Sequence, residues 1–308
     1  MKINTMDSAA PDLHATTTLY PAKQRRAARK LSALARNQPL GAIGFAIIAF
    51  MVLMALFATL IAPHSASNSD FDALASPTWA HPFGTDRIGR DVLSRVIFGA
   101  RTSMLVGLGS VLIATLGGTG LGLISGYLGG WVDAVIQRLV DVVMAFPFLV
   151  LALFVGAVAG RNMRNLIIVL GFAMTPGVLR VVRASVLSER ERDYVLAARS
   201  VGVSNARIMG RHILPNVAAP VIVIATTLLA AAILAEAALS FLGFGVPPPT
   251  PSWGGDLSGS SRAYFQVAPW MAIFPGIALS LAVLGFNFLG DSLRDILDPR
   301  LRGSRREF

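Results

Sequence analysis

The sequence contains no cysteine and only three lysines, and each shortage excludes a class of chemistry. Without cysteine there can be no disulfide, no thiolate metal site and no cysteine nucleophile. The lysines are Lys2, Lys23 and Lys30, and none of them follows a glycine. A phosphate-binding loop needs glycine backbone N–H groups and a lysine for the terminal phosphates. The sequence therefore predicts no ATP site in this chain, and no catalytic residue, cofactor or metal ion of its own.

Charged residues are also scarce, at 14% of the 308 residues, whereas 54% are hydrophobic. Ordinary globular domains carry about 25% charged residues. The hydrophobic residues are concentrated in runs long enough to cross a hydrocarbon core of about 30 Å as helices. Six such spans are predicted, near residues 40–62, 103–125, 139–159, 166–187, 217–242 and 269–290. The fold class is therefore an all-α polytopic membrane protein with about six transmembrane helices.

The first span is predicted to stay in the protein. Signal-peptide apolar regions run for roughly 7–15 residues, and this one is longer and follows a polar tail of about 39 residues. We expect a basic N-terminal tail over residues 1–39, a transmembrane domain over 40–302 and a short tail over 303–308.

The distribution of basic residues predicts the orientation of the chain. Twenty of the 27 lysines and arginines lie in the two tails, the second-to-third connection and the region between the fourth and fifth spans. The remaining seven lie in the other connections. Because membrane proteins keep basic residues in cytosolic loops, both termini are predicted to be cytosolic. The same rule explains the net charge of +10 without nucleic acid as a partner.

Glycine and proline predict how the spans pack. Gly118, Gly122 and Gly126 form a small-xxx-small row, which lets two helices approach closely. Pro147, Pro176 and Pro275 fall inside the third, fourth and sixth predicted spans, where each ring should kink its helix.

The longest cytosolic connection, residues 188–216, has its own pattern. Two short helices are predicted there, the first stopped near Gly202 and the second capped by Ser204, with Pro215 introducing the fifth span. Five apolar residues should form a knob that fits a groove on a partner: Ala197, Ala198, Val201, Ile208 and Met209.

This connection resembles the "EAA" loop of ABC importer permeases. Ala197-Ala198, Gly202 and Leu214-Pro215 match that motif, whereas Leu196 stands in place of its Glu and His212 in place of its Ile. The resemblance implies that the loop couples to a separate ATPase and that the fold is of the type I importer permease kind. The implied docking residues are Tyr194, Ala197, Ala198, Gly202, Val203, Ser204, Ile208, Met209, Leu214 and Pro215.

Three further stretches, at 84–95, 248–254 and 290–299, resemble the second or "C" permease subunit of the dipeptide/oligopeptide/nickel family. This resemblance implies a bacterial inner-membrane complex that imports peptides. Its other parts would be a second homologous permease subunit, two ATP-binding subunits that hold ATP and Mg, and a periplasmic or lipid-anchored substrate-binding protein. A nickel chelate, glutathione or another small solute are the alternative cargoes.

Several charged or aromatic residues outside the loop also carry predictions. Asp86–Arg90 and Asp91–Arg95 have i,i+4 spacing on a predicted external helix, which either is only self-stabilised or has a role at the periplasmic mouth. The proline-rich segment 247–254 is expected to be a stiff external loop with Trp253 at the membrane interface, and a packed connector is favoured slightly over a surface that receives a substrate-binding protein. For Asp141 a local ion pair with Arg138 is favoured over a place in the translocation path, and Arg180 and Arg183 are expected to reach the headgroups. Glu236 lies within the fifth span and either lines the path or bonds to a neighbouring hydroxyl or arginine.

Two other classes of protein compete with the importer hypothesis. A secondary transporter or channel predicts acidic or histidine relays in several spans, and only Glu236 is of that kind. A membrane enzyme would need clustered residues, but the four histidines (His14, His64, His81 and His212) are scattered along the sequence.

Overall fold

The computed structural model describes residues 38–258 and 263–297, and helices make up nearly all of the regular structure in these ranges. In chain order the helices are α1 (Pro39–Leu56), α2 (Ala58–Ile61), α3 (Val92–Leu128), α4 (Gly130–Met144), α5 (Phe148–Ala159), α6 (Met163–Glu189), α7 (Asp193–Ser200), α8 (Asn205–Arg207), a π-helical turn (Ile208–Ile213), α9 (Leu214–Phe241), α10 (Trp253–Asp256) and α11 (Trp270–Leu297). Residues 1–37 of the predicted N-terminal tail, 1–39, and the whole predicted C-terminal tail, 303–308, lie outside the described ranges.

Five helices are long and apolar enough to cross a membrane, and a sixth span forms if α4 and α5 are counted together. This confirms the prediction of about six spans. The third span, however, is not the kinked helix expected over 139–159, because α4 and α5 meet at an angle of 88°. Pro147 stands directly before α5, where its missing N–H removes a helical hydrogen bond. The helix therefore breaks at this point.

Helix α3 begins 11 residues earlier than the predicted span, at Val92, and its 37 residues extend over about 55 Å. Asp91 caps it by accepting a hydrogen bond from the Ser94 backbone N–H at 2.8 Å. The prediction of an external helix over 84–95 is therefore wrong for residues 84–91. Residues 84–91 form a turn closed by a single bridge between Thr85 and Asp91.

The glycine row of α3 packs closely against another helix, as the sequence predicted, and the structure shows that this helix is α6. An ideal Cβ placed on Gly118 would lie 2.5 Å from the Cβ of Val178. The corresponding distance from Gly122 to the Cβ of Val182 is 2.8 Å. Only glycine allows the two backbones this separation, because any larger residue would overlap the valine side chains. The row therefore fixes α6, and with it the loop that follows α6.

Helices α3 and α9 lie at the centre of the described fold. One apolar cluster joins them to α5, α6 and the loop after α6, and a second joins them to α1, α10 and α11. Large apolar side chains on the outward faces remain exposed, including Phe45, Phe50 and Leu116, as expected for helices in contact with lipid. Residues 188–216 lie at one end of the bundle, and residues 62–91 and α10 lie at the opposite end.

Candidate functional site

The loop between α6 and α9 begins with a helix that ends as the sequence predicted. Helix α7 stops at Ser200, and Gly202 follows with φ of +76°, a backbone conformation that favours glycine. The Val203 N–H donates to the Ala198 carbonyl at 3.1 Å and the Gly202 N–H donates to the Arg199 carbonyl at 3.0 Å. These bonds satisfy carbonyls at the end of α7 and reverse the chain toward α8.

The second half of the loop differs from the prediction in two respects. Ser204 occupies the capping position before α8, but its side chain makes no capping hydrogen bond. The predicted second helix is interrupted, since Ile208–Ile213 is π-helical and runs directly into α9 at Leu214. A π-helical turn adds a residue to the helical repeat and so changes which side chains face the bundle.

The apolar residues of the loop divide into two sets rather than forming one knob. Val195, Ala198, Ile208 and Ile213 are buried within the chain's own core. Leu196 and Val201 face outward, with Val201 79% exposed. Ala198 and Ile208, which the sequence assigned to the partner contact, therefore fasten the loop to the bundle.

The structure thus separates the ten predicted docking residues by exposure. Six have exposed positions on the outer face: Tyr194, Ala197, Gly202, Ser204, Leu214 and Pro215. Two are partly buried, Val203 and Met209, and two are buried, Ala198 and Ile208. Leu196 and Val201 are exposed as well, although neither is among the ten predicted docking residues. For Val201 the sequence did contain a signal, because Val201 is one of the five apolar residues predicted to form the knob. We call the exposed apolar surface formed by Tyr194, Leu196, Ala197 and Val201 the docking face.

Polar contacts hold the loop to the end of α3. The Tyr127 hydroxyl donates to Oδ1 of Asn205 at 3.0 Å, and the Arg199 guanidinium lies 4.9 Å from the Tyr127 ring centre. Nη1 of Arg190 donates to the Gly126 carbonyl at 2.9 Å. The loop is therefore anchored to the end of α3 by these contacts.

Tyr194 connects the two ends of the loop. Its hydroxyl donates to Oε2 of Glu189 at 2.7 Å and accepts from Nδ2 of Asn216 at 3.0 Å. Partial burial, reinforced by the neighbouring Glu189 carboxylate, raises the pKa of Tyr194 above its usual value. The phenol therefore stays neutral at physiological pH and keeps its donor role.

The carboxylate of Asp141 has a different partner from the one expected. Nη2 of Arg180 donates to Oδ1 of Asp141 at 2.7 Å, so the predicted local pair with Arg138 is wrong. Arg183 likewise bonds Asp133 through two nitrogens, at 2.7 and 2.6 Å. Neither arginine needs to reach the headgroups. Asp141 itself is half-exposed, so a place for it in the translocation path stays a prediction.

Glu236 is fully buried between α3 and α9. The Ser103 hydroxyl donates to Oε2 at 2.9 Å and the Ser240 hydroxyl donates to Oε1 at 2.7 Å. Ser103 in turn accepts from the backbone N–H of Trp253 at 3.4 Å. This geometry favours the second of the two predicted roles, a structural partner for hydroxyl groups.

The opposite end of the bundle is held by a long-range ion pair that the sequence did not reveal. Nε of Arg95 donates to Oδ1 of Asp256 at 2.9 Å, across 161 residues, so the predicted pairing of Arg95 with Asp91 is wrong. The pairing of Asp86 with Arg90, at 2.6 Å, is confirmed. Both members of the Arg95–Asp256 pair are about nine-tenths buried.

Trp253 completes this end of the bundle, but not at a membrane interface as predicted. Its side chain is fully buried, and the indole N–H donates to the Val96 carbonyl at 3.0 Å. Gly99 of α3 makes room for it, since a Cβ there would lie 3.0 Å from the indole ring. Pro251 and Ser252, directly before Trp253, are buried as well, whereas Pro248, Pro249 and Thr250 are exposed, so only the end of the proline-rich segment is packed.

Comparison with known proteins identifies the class. The family described as "Binding-protein-dependent transport system inner membrane component" matches residues 118–303, and "N-terminal TM domain of oligopeptide transport permease C" matches residues 34–77. The chain belongs to the first of these families, the permease subunits of ABC importers, and it resides in the bacterial inner membrane. Within that family it is a permease of the C type.

Individual relatives share most of the length of the chain. A dipeptide transport system permease protein of Alkalihalophilus pseudofirmus is 44% identical over 268 residues, which cover 87% of this chain and 88% of the relative. A di/tripeptide transport system permease protein of Pseudomonas aeruginosa is 42% identical, covering 85% and 88%. A glutathione transport system permease protein of Escherichia coli is 40% identical, covering 87% and 89%.

Proposed function

We propose that this chain is one of two permease subunits of an ATP-driven importer of short peptides. The relatives are named for dipeptides, di- and tripeptides, and glutathione, which is itself a tripeptide. Three cargoes of one chemical kind support a peptide substrate over a nickel chelate or an unrelated solute. The second permease subunit would be a homologous but different chain, and an external binding protein would deliver the peptide.

The observation that carries the coupling part of the proposal is the two-sided loop. Its inner face is anchored by Val195, Ala198 and Ile208, while the docking face presents Leu196 and Val201 to solvent. Exposed apolar side chains on a rigid cytosolic projection are suited to a groove on a partner protein. Since α7 is tied to α3 and α6, motion of a docked ATPase subunit would be transmitted directly to two spans.

The proposal assigns ATP and Mg to the partner ATP-binding subunits. The support is chemical, because the sequence offers no lysine after a glycine and hence no phosphate-binding loop. The polar surface of the opposite end would receive the binding protein. A cavity of about 220 Å³ lies there, and four arginines contribute to its lining (Arg87, Arg90, Arg95 and Arg161) together with Asp86 and Asp256.

Reconstitution tests the function directly. The two permease subunits, the ATP-binding subunits and the binding protein would be placed in proteoliposomes, and uptake of a radiolabelled dipeptide would be measured with and without internal ATP. We expect uptake that requires ATP and the binding protein and that unlabelled di- and tripeptides compete. Competition by a nickel chelate but not by peptides would contradict the proposed cargo. Uptake driven by an ion gradient without ATP would contradict the importer class.

A further inference from the structure

Two histidines and one aspartate that are far apart in sequence meet at the opposite end of the bundle. His64 and His81 lie in the segment between α2 and α3, and Asp91 caps α3. One donor atom from each of the three residues lies within 4.8 Å of the other two. The individual distances are 3.0 Å from Nδ1 of His81 to Oδ1 of Asp91, and 3.9 Å from Nδ1 of His64 to Oδ2 of Asp91.

The three side chains are held in place by contacts outside the cluster. The Phe71 ring packs against both imidazoles, with ring centres 4.8 Å from His64 and 4.4 Å from His81. The backbone N–H of His64 donates to the Ser94 hydroxyl at 3.1 Å. That hydroxyl also donates to Oδ2 of Asp91 at 2.7 Å. Such outer contacts orient ligands around a metal ion.

One atom of the cluster is unsatisfied. Nδ1 of His64 is buried and has no hydrogen-bond partner within the described ranges 38–258 and 263–297. The side chain as a whole is 30% exposed, so the buried nitrogen points inward while the ring edge borders solvent. Asp91, by contrast, is fully buried, and a buried carboxylate is stabilised by a cation beside it. An ion placed among the three residues would give Nδ1 of His64 a partner and would place a cation beside the Asp91 carboxylate.

We propose that His64, His81 and Asp91 form a binding site for a transition-metal ion of the zinc type. Zn²⁺ binds imidazole nitrogen and carboxylate oxygen at about 2.0–2.2 Å in tetrahedral geometry, so neighbouring ligand atoms lie roughly 3.4 Å apart. The two distances to Asp91, 3.0 Å to Oδ1 and 3.9 Å to Oδ2, lie on either side of that value, and the three donor atoms lie within 4.8 Å of one another. Two imidazoles argue against Mg²⁺ and Ca²⁺, which take oxygen ligands. Three protein ligands leave the fourth position for water on the exposed side of His64.

The consequence for the fold is a cross-link at the external surface. The ion would fasten residues 62–91 to the first turn of α3, next to the cavity that contains Arg95 and Asp256. The proposed metal site lies at the end of the bundle opposite the docking face, and it does not involve the transported solute.

Metal titration of the full chain, purified without a histidine tag, tests the site. Zn²⁺ binding would be measured by equilibrium dialysis, and Co²⁺ would serve as the spectroscopic probe because its visible bands report tetrahedral nitrogen and oxygen ligands. We expect one ion per chain. The variants His64→Gln and Asp91→Asn should each weaken binding at least about tenfold, since even outer-shell partners contribute 10–100-fold. Asparagine caps helices as well as aspartate does, so Asp91→Asn preserves the start of α3.

The chain supplies matched controls in its other two histidines. His14→Gln and His212→Gln should leave the stoichiometry and the affinity unchanged. The proposal is overturned if the wild-type chain shows no saturable binding, or if the control variants lower the affinity as much as His64→Gln does. Should Asp91→Asn fail to fold, His64→Gln decides alone, because its partly exposed ring can be replaced without opening the core.

Discussion

Replacing Gly118 with alanine tests the closest contact between α3 and α6. An ideal Cβ on Gly118 lies 2.5 Å from the Cβ of Val178 and 3.0 Å from the backbone nitrogen of Leu179. Favourable carbon contacts lie at about 3.5–4.0 Å, so α6 would have to retreat by roughly 1 Å. Gly120 provides the matched control, because a Cβ there meets no atom of the described residues within 4 Å.

The two substitutions share one energetic effect and differ in another. Alanine in place of glycine within a helix stabilises by about 0.5–1 kcal/mol at either position. Overpacking at Gly118 opposes this gain with a cost of about 1–3 kcal/mol. The Gly118→Ala chain should therefore be less stable than the Gly120→Ala chain by about 1–3 kcal/mol, while Gly120→Ala should match or exceed the wild type.

Unfolding by SDS titration in mixed micelles, followed by far-UV circular dichroism, measures this difference. The absence of cysteine rules out thiol-reactive dyes as the readout. Equal midpoints for the two alanine variants would refute the close approach of α3 and α6. The same result would remove the physical basis for a rigid connection between α3, α6 and the loop.

Substitutions at two further buried positions, Arg95 and Glu236, give additional tests. Arg95→Ala should destabilise the chain by about 3–5 kcal/mol, because it removes the guanidinium that is bonded to the buried Asp256 carboxylate. Arg87→Ala, at an exposed position, should change the stability by less than about 0.5 kcal/mol, and equal effects of the two variants in SDS titration would contradict the buried pair. Glu236→Leu should lower the free energy of unfolding by about 1–3 kcal/mol, because it removes the acceptor for two serine hydroxyls. Glu236→Gln should lower it less, because glutamine keeps an acceptor oxygen. Loss of transport in Glu236→Gln with unchanged stability would instead support a place in the translocation path.

Features that depend on neighbouring residues were predictable from the sequence. The spans follow from run length, a close helix contact along α3 follows from the spacing of Gly118 and Gly122, and the end of α7 follows from Gly202. Each of these features is determined within a few turns of one helix. The local physics of glycine and apolar runs is therefore sufficient to predict them.

Features that depend on tertiary packing were not predictable. The i,i+4 rule pairs Arg95 with Asp91, but the fold brings Asp256 to Arg95 and leaves Asp91 to cap α3. A proline in a span predicts a kink, yet the angle of 88° after α4 depends on what surrounds the break. The burial of Ala198 likewise depends on α6 and α9, which the loop sequence does not describe.

The substitution Val201→Asp tests whether the docking face contacts the ATP-binding subunits. The substitution places a carboxylate on the most exposed apolar residue of the loop without disturbing the buried Ala198 and Ile208. Trp79→Asp is the control, because Trp79 is fully exposed in the segment at the opposite end. Burying an unpaired carboxylate in an apolar groove costs at least about 2 kcal/mol, which corresponds to roughly 30-fold in affinity.

The measurement is the affinity of the ATP-binding subunits for the detergent-solubilised permease pair. We expect Val201→Asp to weaken their association by at least about tenfold and to abolish dipeptide-stimulated ATP hydrolysis, while Trp79→Asp leaves the association unchanged. Wild-type association and stimulated hydrolysis in Val201→Asp, with the variant folded as judged by SDS titration, would contradict the assignment of this loop as the surface that couples ATP hydrolysis to transport.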